Sequence, residues 1–93
     1  MSIVIVGGNE CMVRRYKELC KEYDCRAKVI PKIKGGLKNK IGQPDMMVLF
    51  TDTISHKLVR SALNETKGQD TKIIRSHSSS MTALKEILEE QTK

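Results

Sequence analysis

The two histidines of this chain, His56 and His77, each stand just beyond a short apolar run that reads as a β-strand. Imidazole titrates near neutrality, ligates metals and both donates and accepts hydrogen bonds. Two of them at one edge of a parallel sheet would stand where open α/β proteins bind ligands. Other capable groups cluster around them. His56 closes the stretch Thr51-Asp52-Thr53-Ile54-Ser55-His56, and His77 lies within Arg75-Ser76-His77-Ser78-Ser79-Ser80. A third polar stretch, Gly7-Gly8-Asn9-Glu10, follows the first apolar run.

Each stretch admits a particular chemistry. The hydroxyls of Ser76, Ser78, Ser79 and Ser80, with Arg75 beside them and helix-opening amides behind, can cradle a phosphate or carboxylate; the plainer reading is a helix start with surplus caps. His56 falls in the first turn of the helix it opens, where the positive end of the dipole favours neutral imidazole, a form that ligates metal or accepts a hydrogen bond. With His77, and with Glu10 or Asp52, it could complete a transition-metal site, and alone it could ligate haem iron. Paired glycines at Gly7 and Gly8 allow unusual backbone angles and close approach of a ligand, or simply a tight turn. Neither GxGxxG nor the Walker lysine motif is present. Thr53 or Ser55 can cap the helix that His56 begins.

Several reactions are disfavoured by what the spacing lacks. Cys11 near a helix start could carry a lowered pKa, and small phosphocysteine carriers and low-molecular-weight tyrosine phosphatases place a cysteine there. The phosphatase loop, however, requires an arginine where this chain has Lys17. Asp52 sits where response-regulator receivers keep their phosphoacceptor, but the acidic magnesium ligands of a receiver are replaced by Gly7 and Gly8. A Ser-His-Asp set exists in composition alone, without a nucleophile elbow. No complete catalytic constellation remains, and binding or sensing fits better than catalysis.

The elements that must position these residues follow from periodicity. Ile3 to Val6 reads as a buried parallel strand, and Cys11 to Tyr23 as a helix whose apolar face is Met12, Val13, Tyr16, Leu19, Cys20 and Tyr23. Ala27 to Ile30 is a second strand stopped by Pro31, and a weaker helix is expected over Gly36 to Ile41. Met46 to Phe50 is the third strand, Ser55 to about Glu65 the next helix and Lys72 to Ile74 the fourth strand. A last helix carries Met81, Leu84, Ile87 and Leu88 and is capped by Ser78, Ser79 or Ser80. Alternating β and α elements predict one small Rossmann-like or flavodoxin-like α/β domain over residues 1–93: a three-layer sandwich around a four-stranded parallel sheet. The strand order 2-1-3-4 follows if the first helix covers one face and the later helices the other.

Composition narrows the partners. A chain of 93 residues with 39% apolar content builds a modest core, which favours a homo-oligomer such as a dimer. A formal charge of +6 favours anionic partners. Its densest part, Arg26, Lys28, Lys32, Lys34, Lys38 and Lys40, contains no interleaved aromatic for base stacking, so nucleic acid is disfavoured and a solvated basic face preferred. No apolar run reaches the roughly 20 residues of a membrane span. The first residues show no signal segment, and three cysteines form no disulfide or zinc spacing, so a cytoplasmic protein with reduced thiols is expected.

The segments Val4-Ile5-Val6-Gly7-Gly8, Val48-Leu49-Phe50-Thr51-Asp52 with Ser55-His56, and Arg75-Ser76-His77-Ser78 before Ala83-Leu84 resemble a small bacterial family known only as a domain of unknown function, family 2325. The resemblance spans essentially the whole chain and implies a small α/β domain with attention on His56. The family it resembles often has Gly-Gly-His or Gly-Gly-Asp in the first loop, whereas Asn9 stands here. The expectation is therefore a domain that binds a small anionic ligand through Gly7, Gly8, Asn9, Glu10, Thr51, Thr53, Ser55, His56, Arg75, Ser76, His77, Ser78 and Ser79. The alternatives are a metal or haem protein using His56 and His77, and an assembly module without a ligand.

Overall fold

Ser2–Val6 (β1) and Met46–Phe50 (β3) are the two most apolar runs of the chain, and they form the centre of the sheet. In the computed structural model, which describes residues 1–31 and 42–92, Arg26–Ile30 (β2) lies outside β1 and Lys72–Ser76 (β4) outside β3. All pairings are parallel and the order is β2-β1-β3-β4. The helices are Val13–Glu22 (α1), His56–Glu65 (α2) and Met81–Gln91 (α3), with a 3-10 turn over Glu10–Met12 leading into α1. The helix expected over Gly36–Ile41, and Lys32, Lys34, Lys38 and Lys40, lie outside the described residues.

Alternation along the central strands divides the core in two. Ile3, Ile5, Met46, Val48 and Phe50 face Tyr16 and Cys20 of α1 and Leu84 and Leu88 of α3. Val4, Val6, Met47 and Leu49 face the opposite layer, where α2 contributes Ala62 with Leu58, Val59 and Leu63 packed around it. Three layers result, as the alternation of elements implies.

One placement differs from expectation. The later helices do not share a face, because α3 returns to the side of α1. The β1-α1-β2 and β3-α2-β4 units advance in opposite directions from the centre of the sheet, so right-handed crossovers put α1 and α2 on opposite faces. No strand follows α3, so handedness does not constrain it. It packs beside α1 and shares with it the cluster of Met46, Val48, Phe50 and Ile74 on that face.

Smaller differences lie at the ends. β4 runs two residues beyond Ile74 through Arg75 and Ser76, and α1 begins at Val13 after the 3-10 turn. Both edge strands display cations, Arg26 and Lys28 on β2 and Lys72 and Arg75 on β4, which oppose pairing with another strand edge.

The three cysteines are free. Cys20 and Cys25 are buried and Cys11 is exposed. Burial, helped by the neighbouring Cys25, pushes the Cys20 thiol up to about 12. Alkylation of the folded protein should therefore modify Cys11 first, with Cys20 and Cys25 reacting only on unfolding, as counted by intact mass. Equal labelling of all three in the native state would contradict this packing.

Candidate functional site

The register of the edge strand assembles the site. Leu49 pairs with Arg75 and Phe50 with Ser76, so Thr51 and His77 come side by side as the two strands end. Residues in register share a face, and Leu49 belongs to the α2 layer. Arg75, Thr51 and His77 therefore stand toward α2, whose first residue is His56. α2 begins there because Ser55, in extended conformation, caps it by accepting from the Leu58 amide at 3.2 Å.

Thr51 fixes the orientation of one imidazole. Its hydroxyl oxygen lies 3.2 Å from the Ser76 carbonyl and 3.1 Å from His77 Nδ1. A carbonyl can only accept. The arrangement that satisfies both contacts has the hydroxyl donating to Ser76 O and His77 Nδ1–H donating to Thr51 Oγ1. Nε2 is then the ring nitrogen left for a ligand, an acceptor in the neutral ring and a donor only in the imidazolium.

Between these groups lies a cavity of about 210 Å³ lined by Thr51, Ile54, His56, Val59, Arg75 and His77. A guanidinium, two imidazoles and a hydroxyl meet there with an apolar wall supplied by Ile54 and Val59. It is smaller than the roughly 300–1,000 Å³ that encloses a drug-sized ligand, and suits a small anion or one end of a larger molecule. Among the described residues no three His, Cys, Asp or Glu side chains stand together as a metal-binding group. A metal in this cavity would rest on the two imidazoles.

The remaining polar groups are engaged elsewhere. Gly7 N–H donates to Ile30 O at 2.9 Å and Gly8 N–H to Thr53 Oγ1 at 2.7 Å, so both amides are spent on neighbouring segments. Gly7 and Gly8 have φ of 97° and 92°, and a Cβ on Gly7 would come within 2.8 Å of Ile54 and Thr53. Packing against the β3–α2 loop therefore accounts for the glycine pair. Asn9 caps the 3-10 turn by accepting from Cys11 N–H at 2.9 Å, and Glu10 is the first residue of that turn.

The serine cradle is filled from within. Asp52 Oδ2 accepts from both the amide (3.3 Å) and the hydroxyl (3.2 Å) of Ser79. Ser76 Oγ donates to Ser78 O at 2.8 Å, Ser78 Oγ bonds Ser80 Oγ at 3.0 Å, and Ser80 accepts from the Ala83 amide at 3.1 Å as the cap of α3. The structure thus brings Thr51, His56, Arg75 and His77 together. Gly7, Gly8, Asn9, Glu10, Thr53, Ser55, Ser76, Ser78 and Ser79 do not line that cavity.

With this geometry established, one comparison identifies the chain. The model of the family described as "uncharacterized protein conserved in bacteria (DUF2325)" matches residues 2–91. The chain belongs to that family. No curated protein and no solved structure matches it. Among the described residues, no helix of this DUF2325 domain is long and apolar enough to cross a membrane.

Two features of the DUF2325 domain escape a reading of its sequence. Ile54 and Val59 have the periodicity of core residues, and they do pack on the α2 side of the sheet, yet they also form the wall of the cavity. Tyr16 also reads as core and is fully buried, but its hydroxyl donates to Ser79 O at 2.6 Å and accepts from Asn9 N–H at 3.3 Å, joining the first and fourth loops. Tyr16→Phe should lower stability by about 1–2 kcal/mol in urea denaturation, since a carbonyl and an amide lose their partner. A change below about 0.3 kcal/mol would mean that solvent replaces the hydroxyl.

A larger hollow of about 340 Å³ opens at the other end of the sheet, lined by Gln43, Pro44, Asp45, Gly68, Gln69, Asp70 and Thr71. Its charged side chains are the carboxylates of Asp45 and Asp70, and Asp45 is already bound to the Ser2 amide at 2.7 Å. Position at the carboxyl ends of the strands and a cationic lining favour the smaller cavity as the ligand site.

Proposed function

We propose that this domain binds a small anionic molecule in the cavity between α2 and the ends of β3 and β4, and acts as a binding or sensory module rather than as an enzyme. The reading rests on the convergence of Arg75, His77, His56 and Thr51 from three separate segments on one small cavity. Arg75 supplies the neutralising charge and a forked donor set. His77, oriented through Nδ1 by Thr51, donates to an anion from its second ring nitrogen when the ring is an imidazolium. The opening turn of α2 adds the positive end of a helix dipole.

Thermal denaturation with phosphate, nucleotides and sugar phosphates tests this. At ten times Kd a ligand adds about 1.4 kcal/mol to stability, several degrees in Tm for a domain of this size. The shift should shrink in Arg75→Ala and His77→Ala. Uniformly flat shifts with every anion would sink the reading.

A second reading draws on the same observation, since both imidazoles line one cavity. A metal or haem held by His56 or His77 would give stoichiometric metal or a Soret band in protein purified from iron- and haem-supplied cells, lost in His56→Ala. No bound metal or absorbance after reconstitution would remove it.

A further inference from the structure

The make-up of the cavity narrows the anion. Among the described residues, Arg75 is the one permanent cation that lines it. A single guanidinium presents its paired N–H groups in the geometry of a carboxylate, which it binds through two parallel hydrogen bonds. A phosphate dianion would leave one charge balanced only by groups that are not permanently ionised. Facing this head-group site are Ile54 and Val59, half-buried side chains whose outer surfaces line the cavity while their inner surfaces pack on the Leu49 side of the sheet. Inorganic phosphate would leave that apolar wall wet, whereas a hydrocarbon body would cover it.

From the charge count and the wall together, and resting on the anion-binding reading above, we infer that the ligand class of this cavity is a small organic monocarboxylate. Its carboxylate lies on Arg75 through two parallel hydrogen bonds, and its short apolar body lies against Ile54 and Val59. At about 210 Å³ the cavity holds a body of a few carbons and excludes long acyl chains. The pocket thus follows the general pattern of an apolar enclosure with a small number of polar groups that fix orientation.

The experiment is an NMR titration of the ¹⁵N-labelled chain at fixed ionic strength with acetate, propanoate, butanoate and inorganic phosphate. Affinity is expected to rise roughly fourfold per added methylene, the effect of burying one CH₂ group, with butanoate binding more tightly than phosphate. Val59→Thr, which keeps the side-chain shape but replaces a methyl with a hydroxyl, should flatten the series, and Arg75→Ala should weaken every member about 10- to 150-fold. An equal affinity for all three carboxylates, tighter binding of phosphate, or butanoate binding undiminished in Arg75→Ala would overturn the inference. In the first two cases Arg75-dependent binding still supports an anion site. If none of the four probes perturbs the cavity resonances, the anion-binding reading itself fails.

Discussion

Phe50→Ala is expected to cost about 3–5 kcal/mol of folding stability, the range for removing a fully buried phenylalanine from a packed core. Phe50 has no solvent exposure and ends the central strand β3. Its ring stands 5.5 Å from that of Tyr16 at 43°, and a Cβ on Gly8 would come within 3.1 Å of it. Truncation opens a void where the first loop, α1 and β3 meet, beside the Tyr16 ring whose hydroxyl is bonded to Ser79 O. A small domain holds about 5–15 kcal/mol in total, so the variant should melt far below the parent. Urea denaturation followed by far-ultraviolet circular dichroism gives the number. A loss under about 1.5 kcal/mol would mean that the core collapses around the gap.

Arg75→Ala should separate binding from folding. Its side chain is exposed at the end of an edge strand, so stability should change by no more than about 0.5 kcal/mol. Anion affinity should fall about 10- to 150-fold, the equivalent of a charge-assisted hydrogen bond worth roughly 1.5–3 kcal/mol. Arg75→Lys should fall between the two, since it keeps the charge but loses the planar fork. Calorimetric titration with the tightest anion found in the thermal screen measures all three. Equal affinity in parent and Arg75→Ala would place the anion elsewhere.

How far such sites are legible in a sequence depends on what competes for each residue. Met46-Met47-Val48-Leu49-Phe50 is an unbroken apolar run between Asp45 and Thr51, and such a run has few fates other than a doubly covered strand. β4 is harder to read because edge strands tolerate polar residues. Arg75 and Ser76 pair with Leu49 and Phe50 although nothing apolar marks them. The face taken by α3 follows from coverage of Phe50 and Ile74, a fact of three dimensions that periodicity along one helix does not carry.

The candidate site divides in the same way. His56, Arg75 and His77 stand out as rare or charged groups at strand ends, and the register then brings them to one cavity. The serine segment presents the composition of an anion cradle, yet Asp52 supplies an internal anion to Ser79 and the other hydroxyls satisfy one another. No local pattern distinguishes donors awaiting a ligand from donors already committed to a residue 27 positions away. Ile54 and Val59 show the converse. Helical periodicity identifies a buried face without separating the last core position from the first that lines a pocket.

In the complex proposed above, one anion is held by groups from β4, the β4–α3 loop and α2 at once. The most direct test of that complex follows the side-chain ¹⁵N resonances of His56, His77 and the Arg75 guanidinium during titration with butanoate. All three should move along a single saturable curve with one Kd, while the amides of Gly7, Gly8 and Asn9 stay in place. Saturation centred on those first-loop amides, with the two imidazoles and Arg75 unmoved, would contradict it.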